Sequence, residues 1–524
     1  MCRDFYSDIC SFSMACGKLV QHCGQILFKK KKDKKPHGAD STGVGDCNWV
    51  FDKMPCYGNV LFLSIVLLLM VGCARFHPQP ISPVQTATAF EKRTLDSTNL
   101  KEFLERNLRH EITPWPPKVW DFSLLTLASL YYHPDLDVVR AKWGVAKARE
   151  ITAGAIPNPS VSFTPQYSVN AASGVSPWIL TLSLDIPIET AGKRGYHIAQ
   201  ANHLSEAARL NTATVAWQAR SRLRTSILNL YGADQSEVLL KRRVAIQQDL
   251  VELMERRLAV GEVSQPDVTL TRLFLDQIRL SLSEARKQSA EVRSQTANAL
   301  GVTVDAIKGI EISFAFLEKL PQEFPLADLR HQALLNRPDI LSALATYAAS
   351  ESALQLQIAK QYPDVHLRPG YEFDQGENKW GVGFSVSLPV LNQNQGPIAE
   401  AEAHRKEAGA LFKSLQAQVI GEIDRAQAGY KAALRRMEEA DLLVSDKERQ
   451  LQSAQAMFNV GEADRLTLLG AQIELLSSRL SRLEAVIQAQ QSLGLLEDAL
   501  QRPLDPSGSF LVVPEKGPRL EEGR

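Results

Sequence analysis

The sequence predicts a mainly α-helical protein with a small β part, in which one strand–strand–long-helix unit is written twice. Three observations carry this prediction. Landmarks recur in the same order about 200 residues apart: Pro134-Asp135 as Pro338-Asp339, Pro159 as Pro363, Pro187 as Pro389, and Val260-Gly261-Glu262 as Val460-Gly461-Glu462. That spacing lies far beyond the roughly 20–50-residue periods of solenoids, so it marks a duplication. The stretches 193–259 and 398–459 contain no proline and carry apolar residues at helical spacing. Each is preceded by two short stretches in which apolar residues alternate with small or polar ones, the signature of a strand with two unlike faces.

At the N-terminus, all seven cysteines (Cys2, Cys10, Cys16, Cys23, Cys47, Cys56 and Cys73) fall within the first 73 of 524 residues. A chain that passes through an oxidising compartment gains by carrying no stray thiols, and no paired CxxC suggests a metal module. Val60 to Val71 is an apolar run broken only by Ser64. It is shorter than a membrane span of about 20 residues and fits the core of a secretory signal. Met70-Val71-Gly72-Cys73 resembles a bacterial lipobox, with Met70 where leucine is usual, and predicts cleavage that leaves Cys73 lipidated. An uncleaved anchor, or a signal ending near an ordinary cysteine, stays open. Residues 1–72 are then signal and upstream sequence, with the basic run Lys29 to Lys35 either an overlong signal start or a start placed too far upstream. Residues 73–98 are a lipidated tether. Formal net charge is zero, and nothing global points to nucleic acid.

The first repeat spans 99–302. A helix from Pro134 to Thr152 leads to strands over 161–169 and 178–187, then to helices over 193–259 and 266–300. Residues 303–336 connect to the second repeat, 337–503: a helix from Pro338 to Ala359, strands over 365–373 and 380–389, and helices over 397–459 and 463–500. Residues 504–524 form a loose tail. The last strand shows the pattern plainly: Trp380, Val382, Phe384, Val386 and Leu388 alternate with Gly381, Gly383, Ser385 and Ser387. Strands of about nine or ten residues suit a tilted bilayer crossing, although Pro165 and Pro369 each remove a ladder donor. At 1.5 Å per residue, either long helix reaches roughly 95–100 Å.

Four two-faced strands cannot close a transmembrane barrel, which needs at least about eight, and an open sheet in lipid leaves unsatisfied edges. If the strands lie in lipid, other copies complete the wall, and the long helices continue it as a hollow bundle. Two copies supply eight strands and three supply twelve. A soluble sheet buried on one face shows the same alternation; the lipidation signal and the Gly/Ser face of the fourth strand favour the membrane.

The doubled plan, both Val-Gly-Glu turns, and the segments "IPIETAGKRGYHIAQA" and "LPVLNQNQGPIAEAEA" resemble the TolC-like outer-membrane factors, the outer membrane efflux proteins, and especially their heavy-metal-resistance branch. The likeness covers about residues 95–503. It implies a homotrimer with a twelve-stranded outer-membrane β-barrel, a twelve-helix periplasmic α-barrel and an equatorial belt that includes 303–336. Such a protein sits in the outer membrane of Gram-negative bacteria. It passes heavy-metal cations or small toxic compounds outward from a proton-driven inner-membrane pump and a periplasmic adaptor protein. The resemblance places Val260, Gly261, Glu262, Val460, Gly461 and Glu462 at periplasmic tips that touch the adaptor, with a plain turn role for both glycines as the alternative. It suggests Asp267 and Asp464 as acids of a periplasmic gate; Thr467 and Gly470 stand where some relatives carry aspartates. A duct for type I protein secretion, or a lipid-anchored periplasmic scaffold without a pore, stays open.

No enzyme and no cofactor is expected. The sequence holds no P-loop, no G-x-S-x-G and no HExxH. His197 and His203 lie six apart, which does not put them on one helix face, and no metal site emerges. A metal substrate rests on the resemblance alone.

Overall fold

A computed structural model describes residues 76–504 apart from 319 and 323. Cys73, the apolar run before it and the tail beyond 504 lie outside the described residues. Residues 76–80 carry no regular secondary structure and belong to one unit; the rest, from Ile81, form a second.

Within the second unit the helices are α1 (Pro83–Glu91), α2 (Thr98–Leu108), α3 (Phe122–Tyr132), α4 (Pro134–Gly154), α5 (Lys193–Ala259), α6 (Gln265–Leu300), α7 (Leu326–Asn336), α8 (Pro338–Ala359), α9 (Gln395–Asn459) and α10 (Arg465–Leu500). The strands are β1 (Val119–Trp120), β2 (Ser160–Tyr167), β3 (Trp178–Ile188), β4 (Glu311–Ile312), β5 (Val365–Asp374) and β6 (Glu377–Val386). Both α4 and α8 open with proline at the first turn, where its missing N–H costs nothing. The 67 residues of α5 and 65 of α9 run without a break because no proline interrupts their ladders.

One antiparallel sheet has the order β2-β3-β5-β6, leaving β2 and β6 as edges. The first strand ends at Tyr167 and not at 169, because its last partner is Trp178. The fourth runs Glu377–Val386 and not 380–389. Its turn, Gln375-Gly376, has positive φ at both residues (51° and 107°), the two-residue hairpin geometry that sets register. At its other end Val386 meets Val365, the first residue of β5, so Ser387 to Pro389 have nothing to pair with. The β3–β5 ladder is paired at Ser183↔Gly370 and again at Ile186↔Leu367 but not between, where Pro369 offers no N–H.

Two regions expected to be tether and linker are structured. Within 73–98 lies α1, and within 303–336 lie β4, a short 3₁₀ turn at Ala315–Glu318, and α7. The parallel pair Val119↔Glu311 and Trp120↔Ile312 stitches the N-terminal segment to the connector. Around the fully buried Trp120 gather Leu100, Leu104, Leu125, Leu223, Ile227 and Leu300. A second core of Ile340, Val419, Ile423, Tyr430 and Leu496 serves the other repeat. Helix α5 packs against α4, α6, α8 and α10, while α9 packs against α8 and α10.

Candidate functional site

The sheet's register sorts its residues into two contrasting faces. On one face Phe163, Leu182, Tyr371 and Trp380 form a continuous row across all four strands. Ile186, Leu367 and Phe384 form another, and Ile188, Val365 and Val386 a third. Nothing in the chain covers the outer side chains of this face: Trp380 is 83% exposed and Phe384 79%, an apolar surface that demands a cover. Aromatic pairs Tyr167–Trp178 and Tyr371–Trp380 stand 5.1 and 4.8 Å apart on this face, as in the aromatic girdles of outer-membrane barrels.

The opposite face is polar or small apart from Ile179 and Pro187. Its middle row is Ser162, Ser183, Gly370 and Gly381, with Ser162 and Ser183 hydroxyls 2.6 Å apart. Toward the helices, Asp185 meets the His366 ring at 3.0 Å and Arg368 at 3.4 Å; toward the loops, Lys379 meets Asp374 at 2.5 Å. Such a wall can hold lipid on one side and water on the other.

Each strand pair hands over to its long helix through a residue in the left-handed region, Gly192 (φ 71°) before α5 and Asn394 (φ 61°) before α9. At the first joint the buried Lys193 ammonium lies 2.7 Å from Asp364, which also accepts from the Thr190 amide at 3.0 Å. Burial works to raise the Asp364 carboxyl, but these two donors outweigh it and hold the group below its usual range. At the second joint Asn394 donates to the Gln357 carbonyl at 2.7 Å.

The far ends of the long helices turn in the same way twice. Gly261 (φ 76°) donates to Leu258 at 3.0 Å and Glu262 to Arg257 at 2.9 Å; Gly461 (φ 80°) donates to Phe458 at 3.2 Å and Glu462 to Met457 at 2.9 Å. This paired pattern is a Schellman cap, which needs a left-handed residue where each glycine stands. Val260 and Val460 are both 72% exposed. The predicted gate acids begin the return helices. The Asp267 carboxylate accepts from the Ser264 hydroxyl at 2.5 Å and amide at 3.1 Å, and those bonds hold it below the usual carboxylate range. Asp464 caps α10, accepting from the Thr467 amide at 2.9 Å and hydroxyl at 2.8 Å, and pairs with Arg257 at 2.8 Å. The Thr467 amide and hydroxyl and then Arg257 hold it at about 2. Arg257 also lies 3.8 Å from Glu262, so one guanidinium joins Glu262 and Asp464 across the two tips, while Asp267 stays with its own cap.

Sequence reasoning missed a buried polar knot midway along the wall. Arg220 and Arg224 on α5 lie 3.2 and 3.6 Å from Glu497 on α10. Arg224 also donates to the Gln490 carbonyl and side chain at 2.7 and 2.8 Å. Trp217 and Ser221 donate to Asp498 at 2.9 and 2.6 Å. Charged residues on a helix ordinarily read as solvated; the available signal was Gly494, a small residue where the helices approach closely. Among the described residues, no group of three or more His, Cys, Asp or Glu could hold a metal ion, and no helix is long and apolar enough to cross a membrane.

Comparison with known proteins gives a consistent picture. The family model for "Outer membrane efflux protein" matches residues 128–302 and 329–500. The cobalt-zinc-cadmium resistance protein CzcC of Cupriavidus metallidurans is 24% identical over 328 residues, covering 62% of this chain and 77% of that protein. Among solved structures, the outer membrane protein VceC of Vibrio cholerae matches with TM-score 0.60 at 21% identity, over 73% of this chain and 97% of that one. The outer-membrane channel OprN matches with TM-score 0.59 at 19% identity, over 82% and 98%. CusC matches with TM-score 0.57 at 17% identity, over 72% and 91%. These structural likenesses speak for the fold.

Proposed function

The chain belongs to the outer membrane efflux protein family, a family of channels and not of enzymes, and from that premise we propose that it is the outer-membrane duct of a tripartite heavy-metal efflux system. The observation that carries the reading is the four-stranded sheet, apolar on one face, polar on the other, with both edges free and each strand pair running into a helix of about 100 Å. A membrane tolerates such a sheet only when its edges are paired. Three copies close a twelve-stranded barrel, and their long helices continue it into the periplasm as a twelve-helix tunnel. The polar rows line the water path and the apolar rows meet lipid.

In this reading Cys73 carries the lipid that anchors the protein to the outer membrane. The tips at Val260–Glu262 and Val460–Glu462 receive the hairpins of a periplasmic adaptor, which links the duct to a proton-driven inner-membrane pump. Asp267 and Asp464 belong to the ring of residues at the closed end. The duct needs no metal site of its own, since a wide aqueous path passes cations without coordinating them. Heavy-metal cations are the proposed cargo, supported by the likeness to CzcC.

Deletion of the gene tests both levels. Increased sensitivity to cobalt, zinc or cadmium ions, reversed by the intact chain, is expected. Sensitivity to dyes or solvents with unchanged metal tolerance would overturn the cargo but leave the duct. A purified protein that neither migrates as a heat-modifiable trimer nor conducts ions in planar bilayers would overturn the duct itself.

A further inference from the structure

The internal duplication says more than that the chain is an oligomer, because it predicts which side chains meet between copies. Helices α6 and α10 are both 36 residues long, and the tips preceding them lie 200 residues apart. In the tip half of the wall, position n of the first repeat therefore corresponds to n+200 of the second. Within the chain, α10 lies on α5: Asp464 meets Arg257, and Leu480 packs with Val244 against Leu240 and Ile278. The corresponding pair, α6 and α9, forms no such seam in the chain. Leu273 and Leu280, the counterparts of Ile473 and Leu480, are 60% and 66% exposed on α6; on α9, Leu442 is 68% and Met457 42% exposed.

We infer that Leu442 of one copy seats between Leu273 and Leu280 of the next, so that α9 of each chain covers α6 of its neighbour. This rests on the oligomeric duct proposed above and names its seam. The levels follow from the in-chain seam, where Arg257 stands opposite Asp464 and Arg224 opposite Gln490 and Gly494. Transferring that antiparallel register brings Leu442 level with Gln277, midway between the two leucines one turn to either side. It also brings Arg435 level with Glu284. Both are exposed in the chain, and their charges are opposite. At the very tip the counterparts of Arg257 and Asp464 are Met457 and Ser264, so the seam between copies carries no ion pair where the seam within the chain does. The free edges β2 and β6 belong to the same two flanks of the duplication, which keeps sheet and helix seams continuous.

The test is a pair of cysteines, Leu280→Cys with Leu442→Cys, in the full chain, whose own cysteines all lie in residues 1–73. A short bifunctional maleimide is expected to convert most of the purified trimer into covalent dimer and trimer bands. Either single variant should give none. Leu280→Cys alone should resist a bulky maleimide in the native trimer and react after heating to monomer. A trimer that forms normally but gives no covalent bands, with Leu280→Cys freely reactive, overturns this seam, keeps the trimer and leaves the stripe to the adaptor. Loss of the trimer in the unmodified protein overturns both. As a second variant, Leu442→Glu should abolish the trimer band while the helical circular dichroism signal stays at its native size; an unchanged trimer contradicts the inference.

Discussion

Gly494→Ala, deep in the α5–α10 seam, separates two opposing effects whose sizes the structure sets. Glycine inside a helix is worse than alanine by about 1 kcal/mol, so the substitution would stabilise α10 if nothing else changed. A methyl group at this position, however, would lie 2.5 Å from Arg224 Nη1. The end of an arginine is normally free to swing away. Here it is not, because Arg224 is buried, donates to Gln490 twice and stands beside Glu497. Displacing it breaks two charge-assisted hydrogen bonds, each worth about 1.5–3 kcal/mol net, and leaves Glu497 to Arg220 and the Leu504 amide. Net destabilisation of about 2–5 kcal/mol is expected after the helix gain is subtracted. Gly232→Ala is the control: its methyl would meet only the Ile487 side chain, Cδ1 at 2.6 Å and Cγ1 at 3.4 Å, an unbonded group whose end can swing aside, so after the helix gain the loss should be under about 1 kcal/mol. Thermal unfolding in detergent, followed at 222 nm, ranks the two. A Gly494→Ala protein that melts at or above the parent temperature would refute the idea that Arg224 is pinned.

Other predictions concern the wall and the tips. Val382→Arg, on the apolar face, should lower barrel stability by about 2–4 kcal/mol if it lies near the bilayer centre, read as lower yield of folded trimer; Gly383→Ser, one residue on and facing the other way, should fold normally and change only conductance. Gly461→Ala places a side chain in a left-handed conformation at about 1 kcal/mol and should weaken adaptor binding measured by pull-down without altering trimer migration. Because Asp464 is held at about 2, its share of stability is complete above the unfolded value of about 3.9 and fades only as pH falls toward 2. The melting difference between the parent and Asp464→Asn should therefore be equal at pH 7 and pH 5 and shrink below pH 4; a loss between 7 and 5 would contradict the assignment.

The long elements are legible in sequence for reasons the structure makes plain. A strand between lipid and water must alternate, so Trp380 to Val386 announces itself, and a wall about 100 Å long needs a helix that no proline interrupts. What hides is what is buried on all sides. Helix α3, "FSLLTLASLYY", is apolar around its whole circumference, so it has no periodic face to read; only Asp121, which caps it by accepting from Leu124 at 2.8 Å, marks its start. Arg224 and Gln490 lie 266 residues apart, beyond any local pairing rule. The tips were legible as turns from Val-Gly-Glu. That Asp267 and Asp464 hold helix starts was also within reach, since Ser264-x-x-Asp267 is a capping pattern. The bridge from Arg257 to Asp464 was not, because it joins different repeats.

The two joints between sheet and helix show what the duplication preserves. Both enter the long helix from a left-handed residue, Gly192 (itself preceded by left-handed Ala191) or Asn394, and asparagine is among the few side chains that accept that conformation at low cost. Around that shared backbone the chemistry has parted. One joint sets the buried Lys193 against the part-exposed Asp364 and the other closes with amides, Asn394 on Gln357. A pair with one member buried adds little net stability over a neutral contact, since desolvation offsets much of the attraction, so either solution can hold the same corner. The feature common to both is therefore geometric. Past the last paired row of Ile188, Val365 and Val386 the wall leaves the sheet, and α5 begins after four residues and α9 after eight. The paired ladder thus ends at one level in both repeats, which is what a barrel made of alternating copies requires to meet a flat membrane surface.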